Sequence, residues 1–233
     1  SEDDLHRQHD ALMSPILWDL GHIMHFEELW LTRNVSGPIE FSEMPGMYNP
    51  FEHPRATRAA LPLPTLANVI TTAAEIRSDV LETLQHAEFR IDHPLLADAF
   101  VYNMVLQHEY QHNETILQTL QLKLGSPYAP PRISAQPRAG KASFDRMIRI
   151  NNGEYPIGTD DRSHAYDNER PRHTIRSAAF EIDAAPVTNS AYAKFIADNG
   201  YGRKELWSEA GIAWLTDSGA TSPKYWQRGD EGW

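Results

Sequence analysis

Along this 233-residue chain the spacing of apolar positions changes character near its middle. Residues 5 to 34 predict a helix entered through Ser14-Pro15, apolar on nearly every side from Ile16 to Leu31, as suits a buried element of a helical bundle. Helical periodicity returns from Thr65 to about Ala87, through Leu66, Val69, Ile70, Ala73, Ile76, Val80 and Leu84. It returns again from Leu95 to Leu124 and stops at Gly125 and Pro127. Between the first two helices, residues 35 to 64 hold too many prolines and glycines for a regular element but retain Tyr48, Phe51, Arg55 and Arg58. That combination predicts a long ordered loop, a common place for function.

Proline and small residues dominate from 126 to 143, which reads as a linker between two domains. Beyond it the texture becomes short strand-like runs (Met147 to Ile150, Thr174 to Ile182), turns at Asn151-Asn152-Gly153 and Gly158-Thr159-Asp160-Asp161, and one helix near Ser190 to Asp198. The expected class is therefore α+β: a helical bundle of few helices over 1–125, then an α+β domain with irregular loops over 144–233.

Composition narrows the chemistry. With 32 acidic and 21 basic side chains the net charge is -11, which disfavours nucleic acid and anionic membranes as partners. No apolar run has membrane-spanning length and the acidic start is unlike a signal peptide, so a cytoplasmic protein is expected. Cysteine is absent, so a metal site must be built from His, Asp or Glu.

His108 and His112 stand four residues apart, roughly 40° around a helix, so two imidazoles can grip one ion. Glu114, roughly 200° from His112, points away. A third ligand should come from another helix. In the first helix His22 is the polar member of the stripe Trp18, His22, Phe26, Leu29, and an imidazole in an apolar stripe needs a partner. His25 competes for the role on spacing alone. Three imidazoles without thiolate suit Fe(II), Zn(II) or Cu(II) and leave positions open for substrate or dioxygen. Gln111 lies about 60° from His108 on the same face. After the rigid Pro54, Arg55 and Arg58 read either as bidentate anion clamps or as solvated loop arginines. The cluster Tyr166, Asp167, Asn168, Glu169 and Arg170 reads as turn-forming.

Three stretches together resemble the hercynine sulfoxide synthases of ergothioneine biosynthesis. Leu12-Met13-Ser14-Pro15-Ile16-Leu17-Trp18-Asp19-Leu20-Gly21-His22-Ile23 and His108-Glu109-Tyr110-Gln111-His112 look like the two metal-bearing helices of their DinB-like domain. Asn152-Gly153-Glu154-Tyr155-Pro156-Ile157-Gly158-Thr159, Tyr166 to His173 and Phe180 to Asn189 are similar to their formylglycine-generating-enzyme-like domain.

The resemblance implies a DinB-like, four-helix-type metal-binding bundle over 1–125 and Fe(II) held by His22, His108 and His112, with hercynine, γ-glutamylcysteine and dioxygen as small-molecule substrates. By the same token Gln111 would contact hercynine, and Arg55 and Arg58 the thiol substrate. The general acid, a tyrosine in this family, is expected beyond Trp233, and family members carry more helix before Asp4. Rival expectations are a synthase using cysteine or making ovothiol or selenoneine precursors, a metal-binding module without turnover, and a stand-alone DinB-like thiol transferase, which would leave residues 145 to 233 unexplained.

Overall fold

The computed structural model describes residues 1–37, 46–129, 131, 146–230 and 232–233. Most of the expected linker lies outside these residues. Two compact units are formed, one from Ser1–Ser134 with Pro156–His173 and one from Ala135–Tyr155 with Thr174–Trp233. Among the described residues no helix is long and apolar enough to cross a membrane.

The first unit is helical. A short α1 (Glu2–His6) is followed by α2 (Ile16–Glu28), which runs through a π-type turn (Leu29–Arg33) into the three-residue α3 (Asn34–Ser36). The single helix expected over 5–34 is thus corrected: residues 7–15 are not helical, and α2 starts directly after Pro15. The ring fixes the proline φ near helical values but offers no N–H, so it serves at a start and not in an interior. After the 3-10 turn Arg55–Ala60 comes α4 (Leu66–Gln85), capped by the Thr65 hydroxyl, which accepts the Asn68 N–H. The last long helix, α5 (Phe100–Gln121), is entered through Asp98 and Ala99, both in left-handed backbone.

Apolar side chains settle into two clusters. One gathers Leu31, Val80, Leu95, Leu96, Val101 and Val105 from the end of the α2 segment, α4, α5 and the approach to α5. The other gathers Leu17, Trp18, Tyr48, Leu63 and Val69. Three amphipathic helices burying their apolar faces in this way are held mainly by burial, at roughly 25 cal/mol per Å² of apolar surface.

In the second unit β1 (Met147–Ile150) pairs antiparallel with β4 (Phe180–Asp183), in the register Met147 opposite Asp183 and Ile150 opposite Phe180. Apart from that sheet, β2 (Gly153–Ile157) and β3 (His173–Ser177) form a two-stranded sheet of their own, neither strand falling whole in one unit. The strand expected over 174–182 is split, because β3 ends at Ser177 and β4 begins at Phe180 in a different sheet. Then come α6 (Asn189–Ala197), near the expected helix, and α7 (Glu209–Ser218), which the periodicity did not reveal. Thr188 and Ser208 cap these two helices through their hydroxyls. The whole is α+β, as expected.

Candidate metal centre

Helix α2 contributes Trp18, Asp19, Gly21, His22 and Phe26; helix α5 contributes His108 and His112 across from them. The three imidazoles converge. Ring centroids are 5.0 Å apart for His22 and His108, 4.8 Å for His22 and His112, and 4.6 Å for His108 and His112. One ligand atom from each lies within 4.8 Å of the others, and this is the one such His/Asp/Glu group of three or more among the described residues.

Each ring is held differently. His22 donates its Nδ1–H to the Tyr48 carbonyl at 2.9 Å, which leaves Nε2 unprotonated and aimed at the centre. Trp18 stacks on the same ring at 4.9 Å and an 11° interplanar angle. His108 stacks on Phe26 at 3.7 Å and 15°. His112 turns Nδ1 toward the Asp19 carboxylate, with Oδ1 at 3.4 Å. Gly21 makes the first arrangement possible: a Cβ there would fall 2.1 Å from the Tyr48 ring, the residue whose carbonyl holds His22.

Burial keeps His22 and His108 neutral. Desolvation, offset in part by the Tyr48 carbonyl, lowers His22 to about 4. Desolvation, joined by the neighbouring His112 and His22, lowers His108 to about 3. The donor set therefore fits a cation. The Nε2 atoms of His22 and His108 are 3.2 Å apart. Two imidazoles sharing an ion at about 2.0–2.1 Å stand roughly 3.0–3.4 Å apart, and neutral nitrogen donors suit iron, zinc or copper.

The other expected residues divide. His25 is off the triad: it is half-buried, its Nε2 has no hydrogen-bond partner, and desolvation lowers its pKa. Gln111 is exposed on α5. Arg55 is exposed, whereas Arg58 is only 6% exposed and already engaged. Its Nη1 donates to the Ser14 hydroxyl at 2.7 Å, its Nε donates to the His53 carbonyl at 2.8 Å, and its guanidinium lies 3.6 Å over Trp18. The Tyr166 to Arg170 cluster forms a 3-10 turn closed by the Glu169 carboxylate on the Tyr166 N–H.

Sequence reasoning gave no site role to Asp19 or Gly21, and placed Tyr48 in the functional loop without its part in holding His22. A weak signal for Asp19 was present, since a carboxylate one turn before a candidate ligand on a buried helix face lies near the same centre.

With this geometry in place, similarity gives the class. Residues 1–116 match the DinB superfamily and residues 133–231 the sulfatase-modifying factor enzyme 1-like domain. The chain is thus a DinB-superfamily domain followed by a sulfatase-modifying-factor-like domain, the pair and order that the resemblance implied. It is 40% identical over 230 residues to a hercynine oxygenase of Mycolicibacterium thermoresistibile, covering 96% of this chain and 50% of the relative. It is 39% identical over 228 residues to the hercynine oxygenase of Mycobacterium tuberculosis, covering 95% and 52%. A formylglycine-generating enzyme of Streptomyces coelicolor is 35% identical over 75 residues, 31% of this chain and 22% of that one. The chain is a homologue of the hercynine oxygenases and spans about half the length of those it matches.

Proposed function

We propose that this chain carries the iron-binding part of an oxygen-dependent sulfoxide synthase that joins hercynine to γ-glutamylcysteine in ergothioneine biosynthesis. The observation that carries the reading is the convergence of His22, His108 and His112, with the Nε2 atoms of His22 and His108 3.2 Å apart, in a homologue of hercynine oxygenases. Iron(II), when bound, supplies open positions for a thiolate and dioxygen and the redox capacity for C–S bond formation and sulfur oxidation. Three neutral imidazoles hold such an ion without cancelling its charge, which favours an anionic sulfur ligand.

In this reading Gln111, exposed on the ligand-bearing helix, contacts hercynine. Arg55, exposed at the start of its 3-10 turn, takes a carboxylate of the thiol substrate, and Arg58 stands behind it as the buried anchor of the same turn. Trp18 and Phe26 keep water from the His22 and His108 rings.

The test is anaerobic Fe(II) binding by this chain and by its His108→Ala variant, followed by oxygen uptake with hercynine and γ-glutamylcysteine. Stoichiometric binding that the variant loses supports the site, and uptake that needs both substrates supports the reaction. Fe(II) binding that His108→Ala leaves intact would overturn the triad. A cysteine-using enzyme is separated by Arg55→Ala, which should raise KM for γ-glutamylcysteine far more than for cysteine.

A further inference from the structure

Three imidazoles suffice to hold an ion, yet α2 also buries a carboxylate beside them. Asp19, one turn before His22, is 2% exposed. Its Oδ2 has no hydrogen-bond partner, and its Oδ1 faces His112 Nδ1 at 3.4 Å, an atom that is itself buried and without a hydrogen bond. Stripping water from a carboxylate without replacing its hydrogen bonds is expensive, so such a group persists where it has a task. The guanidinium of Arg58 offers Asp19 a favourable charge, but its Nε and Nη1 donate to the His53 carbonyl and the Ser14 hydroxyl. His112 is the one cation-capable group within ion-pair distance of Asp19 among the described residues.

We propose that Asp19 is the positioning residue for the third ligand. Its carboxylate accepts the Nδ1–H of His112, fixes the tautomer that presents Nε2 to the metal, and raises the donor strength of that ring. An approach of about half an ångström brings the pair to charge-assisted hydrogen-bond distance. The three ligands then differ by design. His22 leans on a neutral carbonyl, His108 on the face of Phe26, and His112 on a full negative charge. A carboxylate behind a ligating imidazole increases its basicity, and losing such a partner weakens metal binding by about 10–100-fold. The inference rests on the three-histidine reading given above.

The test uses Zn(II) and Co(II), with affinities measured by chelator competition for the unaltered chain and for Asp19→Asn, Asp19→Ala, His112→Ala and the double variant Asp19→Ala/His112→Ala. Asp19→Asn retains shape and an acceptor and guards against misfolding. Asp19→Ala should weaken both metals by about 10–100-fold and Asp19→Asn by less, while Asp19→Ala should add nothing once His112 is gone. In the proton spectrum of the Co(II)-loaded chain, the shifted, exchangeable N–H resonance that His112→Ala removes should broaden into water in Asp19→Ala. A purely structural aspartate would lower the melting temperature of the metal-free chain and leave affinity and resonance alone. That result, or equal Asp19→Ala losses with and without His112, overturns the proposal while the triad stands. Failure of the unaltered chain to bind either metal overturns both.

Discussion

Arg58 has its three main contacts in unlike directions: a hydroxyl near the start of α2, a carbonyl of its own loop, and the face of Trp18. Trp18 in turn stacks on His22, so the loop carrying Arg55 is fastened to the helix of His22 through one buried side chain. Burial opposes the charge of Arg58, and the nearby Asp19 offsets part of that penalty. Arg58→Ala should therefore destabilise the chain by about 2–4 kcal/mol, since it strands a buried hydroxyl and carbonyl and empties the space over Trp18. Arg55→Ala, at an exposed position, should stay within about 0.5 kcal/mol. Urea unfolding of both variants checks this, and equal stabilities would show that Arg58 fastens nothing. Arg58 also marks a limit of the sequence: nothing local separates a buried arginine from a solvated one, because its hydroxyl partner Ser14 lies 44 residues away.

Among helices, Arg77 of α4 grips both carboxylate oxygens of the buried Glu27 on α2, with Nη2 to Oε2 at 2.9 Å, and reaches Glu109 on α5 at 3.4 Å. Glu27 follows Phe26 and Glu109 follows His108, so this bridge spans the three long helices next to the candidate metal site. Arg77→Ala leaves the Glu27 carboxylate buried and unpaired, at a cost of about 1–3 kcal/mol after allowing for the exposure of Arg77. Adding Glu27→Gln should recover part of that loss, because an amide needs no counter-charge. Simple addition of the two costs in denaturant unfolding would argue against the bridge.

The long helices and the His108, His112 pair were legible because both depend on short-range periodicity, which one sequence displays. The break before Pro15 was not, since apolar residues such as Leu5 and Leu12 continue the helical pattern up to it. Neither was α7, where Trp214 is half-exposed and the apolar stripe is short. The partners of the imidazoles escaped for another reason: Tyr48 acts through its backbone carbonyl, and Asp19 meets His112 only when two helices pack.

For the molecule as a whole, the histidine pair makes acid stability a property of the candidate metal site. Folding lowers His22 from the ordinary 6.5 to about 4 and His108 to about 3, mainly by desolvation. Between pH 6.5 and about 3 the unfolded chain therefore binds more protons than the folded one. The sign follows: stability from these groups is complete above pH 6.5 and is lost as pH falls through that window. In urea, the unfolding midpoint of the metal-free chain should fall steadily from pH 7 to 4, and a His22→Ala/His108→Ala variant should show a shallower slope. Saturating Fe(II) under argon should raise the midpoint at pH 7, with the gain shrinking toward pH 4 as protons compete for the same nitrogens. A metal-free midpoint that stays level from pH 7 to 4 would mean that these rings can take up protons without strain. The site would then be open to water, and the dry, neutral donor set on which the iron-binding reading depends would not exist.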